Sequence, residues 1–255
     1  MIDTHTHVHD PAFDLDREAV LARAMSAGIS KIITVGTDLG DSRRALAIAS
    51  LFGLAASLGI HPHEAKDAPA DIASAFDEVL KNGEKRPVAI GETGLDYHYM
   101  HSPPADQRRA LEQQLAYARE RAFPIIYHQR EAFDDFLPIL RNGRASEVPG
   151  VVHCFTGDAE QARILTGEFG LRLGIGGVVT FKSAQPLRDA VRAVGLANLV
   201  LETDCPYLAP VPHRGARNEP AYVIETAKYL ATVLEVSIGD VVAMTDANAN
   251  ALFSL

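Results

Sequence analysis

Apolar and polar positions along this chain follow two rhythms. Short β-branched runs recur from end to end, and longer segments between them repeat their apolar residues every three to four positions. The runs predict eight strands: Met1 to His7, Lys31 to Thr37, Leu54 to His61, Pro87 to Thr93, Pro124 to His128, Gly150 to Phe155, Leu171 to Gly177 and Asn198 to Asp204. The clearest helix is Ala105 to Ala122, with Leu111, Leu115, Ala118 and Ala122 on one stripe. Beyond the last strand, Val223, Ala227, Leu230 and Leu234 line a helix over Pro220 to Leu234, and Ile238 to Phe253 forms a final amphipathic segment. No low-complexity stretch or repeat interrupts the alternation, so one continuous domain over 1–255 is expected. Eight strand-helix units in this length predict an α/β fold, a parallel (β/α)8 TIM-type barrel with an extra C-terminal helix. A doubly wound open sheet is the runner-up. It fits less well, because Asp3-Thr4-His5-Thr6-His7 stands where a glycine-rich nucleotide turn would follow the first strand.

Composition narrows the class. Of 255 residues, 47% are hydrophobic and 22% charged, the balance of a domain with a full apolar core. No segment is apolar enough to span a membrane, and the first residues lack the basic and apolar regions of a leader, so a cytoplasmic protein is expected. Two cysteines, Cys154 and Cys205, are too few for a disulfide framework and are read as reduced packing residues. A net charge of −9 argues against broad electrostatic binding of nucleic acid. A bound pair of divalent ions would still reverse the sign of the potential at one spot.

The histidines and acids change the picture, because they fall at predicted strand ends. His5 and His7 end the first strand, and their spacing of two puts both rings on one face. His61 and His63 close the third strand, Glu92 the fourth, His128 the fifth, His153 the sixth and Asp204 the eighth. Alone, the Asp-x-His-x-His run is an even choice between metal ligation and a structural cap; in a closed barrel the strand ends meet in one ring, and the set points to a metal site. Six ligands exceed one tetrahedral site, so two ions are expected: His5, His7 and Asp204 on one, His128 and His153 on the other, and Glu92 between. The mixed nitrogen and oxygen set leaves magnesium, zinc and manganese open. Such ions acidify water for attack on phosphorus or carbonyl carbon, with Asp204 as general base and Glu92 as the second catalytic carboxylate.

Candidate substrate-binding residues are His61, His63, Asp96, Arg130, Arg214 and Arg217, with Lys182 a weaker one. Protonated His61 or His63 could assist the leaving group, and guanidinium groups suit phosphate oxygens; each arginine could equally pair with a surface acid. Tyr97 and Tyr207 could stack on a base or pack at the rim.

These motifs resemble the TatD family of metal-dependent deoxyribonucleases, within the amidohydrolase-like barrels. The resemblance runs through Asp3 to His7, Gly59 to His63, Ile90 to Tyr97, His128 to Arg130, His153 to Gly157, Glu202 to Pro210, Arg217 to Pro220 and Thr245 to Phe253. It implies His5, His7, Glu92, His128, His153 and Asp204 as metal ligands, and hydrolysis of DNA ester bonds, including removal of nucleotides from 3′ ends, with an ion such as magnesium. Thr6, Glu131 and Cys205 depart from residues frequent in the family, and none of them replaces a ligand. Family members have also been linked to removing D-amino acids from transfer RNA. A deacylase or other carboxylic ester or amide hydrolase is therefore the alternative, and a metal-binding scaffold without catalysis the third. The expected partner is DNA or another phosphoester bound at the metal site, with no membrane and no obligate protein partner.

Overall fold

A computed structural model describes residues 1–81 and 85–255. Eight parallel strands alternate with helices, and strand order follows chain order from β1 to β8 without reversal, so the fold is a (β/α)8 TIM-type barrel. The strands are β1 (Ile2–Thr6), β2 (Lys31–Thr34), β3 (Ala55–Leu58), β4 (Ala89–Asp96), β5 (Ile125–Arg130), β6 (Gly150–Val152), β7 (Arg172–Ile175) and β8 (Leu199–Leu201). The helices are α1 (Arg17–Ser26), α2 (Leu39–Phe52), α3 (Ile72–Lys81), α4 (Pro104–Arg121), α5 (Phe133–Asn142), α6 (Ala159–Glu168), α7 (Gln185–Val194), α8 (Val223–Leu234) and α9 (Ile238–Phe253). Among the described residues, no helix is long and apolar enough to cross a membrane.

The chain divides into two compact units. The first comprises Met1–Ile33 and His153–Leu255. In it β7 pairs with β8 in parallel, Leu173 opposite Leu199 and Ile175 opposite Leu201. The end of β1 is laced to the segment after β8: Asp204 N–H donates to His5 O at 2.9 Å and His7 N–H to Cys205 O at 2.8 Å. All five residues of β1 are buried although three of them are Asp or Thr, so its polar groups must be satisfied inside. Thr4 Oγ1 donates to Leu201 O and Thr6 Oγ1 to Ile33 O, each at 2.9 Å. The C-terminal helix α9 opens on a capping box of Ser237 and Asp240. It packs against the strands, with Asn248 donating to Leu199 O at 2.8 Å and Asp246 accepting from Ile2 N–H at 2.8 Å.

The second unit is Thr34–Val152. Its strands β3 to β6 pair in parallel, and β4 carries one extra residue between Ile90 and Thr93 relative to β5. That bulge holds Glu92 and alters where its side chain is directed. Helix α4 begins with Pro104 at its first turn, where a missing N–H costs nothing, and stops at Ala122 in the left-handed conformation, φ 55°. Its buried stripe contains Leu111, Leu115 and Ala118 as expected, together with two fully buried glutamines, Gln107 and Gln114. Ala122 lies outside the stripe because the helix has already ended.

Strand boundaries differ where chemistry concentrates. β4 runs on to Asp96 and β5 to Arg130, so Glu92 and His128 sit within their strands, while His61 and Asp204 lie three residues beyond β3 and β8.

Candidate functional site

In the first unit, His5, His7, His153 and Asp204 come together with a residue the strand-end reasoning passed over, Glu202. The rings of His5 and His153 stack at 3.9 Å and 15°, and those of His5 and His7 meet edge-on at 5.2 Å. His7 Nε2 lies 3.5 Å and His5 Nε2 3.8 Å from Asp204 Oδ1. Ligand atoms of His5, His153 and Glu202 all lie within 4.8 Å of one another. Glu202 is fully buried and accepts from Cys154 N–H at 2.5 Å. Its carboxylate occupies the space that a side chain at position 174 would take. The available signal was its spacing of two from Asp204 in Glu202-Thr203-Asp204, which a strand drawn to end at Asp204 left as a mere neighbour.

Asp204 itself is held in the left-handed region at φ 57°, a conformation Asp tolerates better than most residues. The hydrogen bonds around it fix that geometry. Asp3 is fully buried and accepts from Thr203 N–H at 3.0 Å and Thr203 Oγ1 at 2.7 Å. Asn218, also buried, donates to Thr203 O and Tyr207 O at 2.8 and 2.6 Å. Burial pushes the Asp3 carboxyl up to about 7 against those hydrogen bonds. For Asp204, burial again disfavours the charge, but the hydrogen bond from His7 and the fields of His153, His5 and His7 hold its pKa below the usual carboxylate value.

In the second unit, His61, His63, Glu92, Asp96 and His128 form a linked chain. His63 Nε2 is 3.1 Å from Asp96 Oδ2, which is 3.0 Å from His128 Nε2. His128 Nδ1 is 2.8 Å from Glu92 Oε1, and His61 Nε2 is 3.3 Å from the same oxygen. Ligand atoms of His61, Glu92 and His128 lie within 4.8 Å of one another. Burial disfavours the His128 cation, but the hydrogen bonds and fields of Asp96 and Glu92 outweigh it and raise its pKa to about 9. Burial dominates at His61 and lowers it to about 4 despite Glu92. His61 is thus neutral near pH 7, and its Nδ1 accepts from His63 N–H at 3.1 Å, which leaves the proton on Nε2. It can donate a hydrogen bond there, whereas the sequence also allowed it a protonated role. Asp96 resists burial through hydrogen bonds from His128, His63 and Tyr99 N–H, which keep it far below the ordinary range.

The two buried glutamines of α4 hold these loops from behind. Gln114 bonds Ile60 at both its N–H and C=O, each at 2.9 Å, and Gln107 accepts from Asp96 N–H at 2.8 Å. A polar pair seven residues apart within an apolar stripe was the available signal, since buried amides need built partners.

The other candidates separate. Arg130 ends β5 with its guanidinium 4.8 Å over the Tyr99 ring. Arg214 stacks 3.7 Å over Phe181. Arg217 forms a forked pair with Asp16 at 2.9 and 2.6 Å and donates to Ala12 O, the arrangement of a surface clamp. Tyr97 donates to Asp135 at 2.7 Å, while Tyr207 is 55% exposed with its ring 6.1 Å from that of His7. Cys154 and Cys205 are free thiols, the latter fully buried.

The donor chemistry fits divalent ions: each unit offers imidazole nitrogens and carboxylate oxygens at close quarters in buried surroundings, the mixture taken by zinc, manganese or similar ions.

Comparison with known proteins agrees. The family model of TatD related DNase matches residues 2–254. The uncharacterized metal-dependent hydrolase YabD of Bacillus subtilis is 37% identical, the match covering 100% of this chain and 99% of that protein. The 3′-5′ ssDNA/RNA exonuclease TatD of Cronobacter sakazakii is also 37% identical, over 99% and 97%. The crystal structure of YjjV, a TatD homolog from Escherichia coli, superposes with a TM-score of 0.90 at 30% identity, over 100% and 98%. The chain therefore belongs to the TatD-related DNase family and is a metal-dependent hydrolase acting on ester bonds.

Proposed function

We propose that this hydrolase removes nucleotides from the 3′ ends of single-stranded DNA, as one catalytic domain, with two divalent ions held by His5, His7, Glu92, His128, His153 and Asp204. The observation that carries the reading is a histidine-carboxylate cluster in each unit, His5, His153 and Glu202 in the first and His61, Glu92 and His128 in the second, each with ligand atoms within 4.8 Å. Similarity to a protein named as a 3′-5′ ssDNA/RNA exonuclease supports the substrate class. Magnesium, manganese or zinc bound there would supply Lewis acidity toward a phosphoryl oxygen and a more acidic water.

The chain's own residues do the rest. Asp204, kept ionised by His7 and the neighbouring rings, accepts the proton of the attacking water. Glu92 supplies the second carboxylate from the β4 bulge. His63, oriented by Asp96, stands ready to bond the leaving oxygen, and His61 donates from Nε2. Arg130, over Tyr99, offers a planar cation to a substrate phosphate.

The test is a panel of purified protein with each divalent ion against 5′-end-labelled single-stranded DNA, double-stranded DNA and RNA, alongside D-aminoacyl-tRNA. Stepwise release of nucleotides from single-stranded DNA that stops with chelator is expected. Cleavage of the aminoacyl ester alone would transfer the assignment to the deacylase reading.

A further inference from the structure

The loops that follow β7 and β8 enclose an open groove of about 670 Å³ lined by Phe181, Lys182, Ser183, Val211 and Arg214. Two features make it a built site. Its floor is fixed: the buried Arg188 donates to Val179 O, Phe181 O and Lys182 O at 3.1, 2.9 and 3.3 Å. Thr180 Oγ1 accepts from Val211 N–H at 3.0 Å, joining the two loops. Its cations are uncommitted: among the described residues, neither Lys182 nor Arg214 has a carboxylate within ion-pair distance, and both line the same groove. Two such cations give that groove a local positive field on a chain of net charge −9. The guanidinium carbon of Arg214 lies 3.7 Å over the Phe181 ring, a cation–π contact that holds the group at the groove. The start of α7, two residues beyond Ser183, adds a weak positive field.

We propose that this groove binds the backbone of a polynucleotide strand, two phosphates on Arg214 and Lys182, with the Phe181 and Val211 side chains against sugar or base. The inference rests on the nuclease reading of the protein and deepens it: the groove would hold nucleotides beyond the one released, so that affinity grows with strand length. Phosphate and aromatic contacts do not read sequence or sugar, so DNA and RNA strands should use it alike.

The experiment measures binding of fluorescein-labelled strands by anisotropy, using the metal-loaded full chain. Twelve-residue thymidine and uridine strands are compared with a dinucleotide, each with 3′ phosphorothioate linkages that slow cleavage but keep the charge. In Lys182→Ala/Arg214→Ala, whose altered side chains are exposed, the Kd for both long strands should rise about tenfold at low salt. The slope of log Kd against log salt should fall by about 1.4, or about 0.7 for each lost phosphate contact. The dinucleotide should bind both proteins equally. Lys182→Arg alone, which keeps the charge, should bind the long strands about as wild-type protein does. If wild-type protein cleaves the strands but the double variant binds them as tightly and with the same salt slope, the groove is overturned and the nuclease reading stands. If wild-type protein neither binds nor cleaves either strand with any divalent ion, both readings fall.

Discussion

The histidine clusters of the two units are held in different ways. In the first unit, support comes largely from hydrogen bonds to the backbone: Asp3 and Asn218 hold Thr203 in the segment bearing Asp204, and His5 stacks on His153. In the second, side chains support one another in a hydrogen-bonded chain from His63 through Asp96 and His128 to Glu92, with the glutamines of α4 behind. A ligand placed by hydrogen bonds to the backbone depends on backbone geometry. A ligand placed by a chain of side chains depends on every member staying in place, because a buried polar group that loses its partner is costly. The first arrangement therefore suits an unusual backbone angle such as that of Asp204, and the second suits side chains that meet from a strand, a bulge and a loop.

Substitutions can break this contrast. The largest effect is expected at Asp204→Asn, which keeps the shape of the site but removes the proposed proton acceptor: kcat on single-stranded DNA should fall by about 10²–10⁴, with the urea midpoint little changed. A folded variant with retained turnover would remove Asp204 from the mechanism.

Next come two glycines that play matching parts in the two clusters. A side chain at Gly94 would collide with the backbone carbonyl of His128, which β4-β5 pairing holds in place. One at Gly174 would collide with the Glu202 carboxylate, the free end of a side chain. Gly94→Ala should thus cost about 3 kcal/mol and Gly174→Ala about 1 kcal/mol in urea unfolding, the reverse order contradicting the comparison.

Asp96→Asn should weaken metal binding by about 10–100-fold in calorimetry, since it removes the charge that orients His128. Equal affinity would mean that the chain of charges in the second unit is dispensable for ligation. The smallest effect belongs to Arg217→Ala, which breaks a partly exposed ion pair with Asp16. A loss of at most about 1 kcal/mol is expected, read as a shift in Tm.

Much of this was legible in the order of residues. The eight strands and α9 lie where the apolar rhythm put them, because a strand buried in a parallel sheet and an amphipathic helix each leave a periodic trace. The histidines and acids were legible because strand ends in such a barrel collect functional groups. Glu202, Gln107 and Gln114 were not, since nothing local distinguishes a buried polar side chain from a solvated one until its partners are known. Arg214 and Arg217 read alike, three residues apart in one loop. Only the structure separates them, giving Arg217 to Asp16 and Arg214 to the face of Phe181.

The sequence by itself determined the alternation of strands and helices, the barrel class and which residue types could hold metal, since these depend on periodicity and side-chain chemistry. Tertiary structure alone decided how those residues are charged and aimed. The left-handed turn at Asp204, the bulge at Glu92, the opposite pKa shifts of His61 and His128 and the cations gathered at the groove all arise from contacts between distant segments. Burial and partner charge set a side chain's protonation and direction, and neither is a property of its neighbours along the chain.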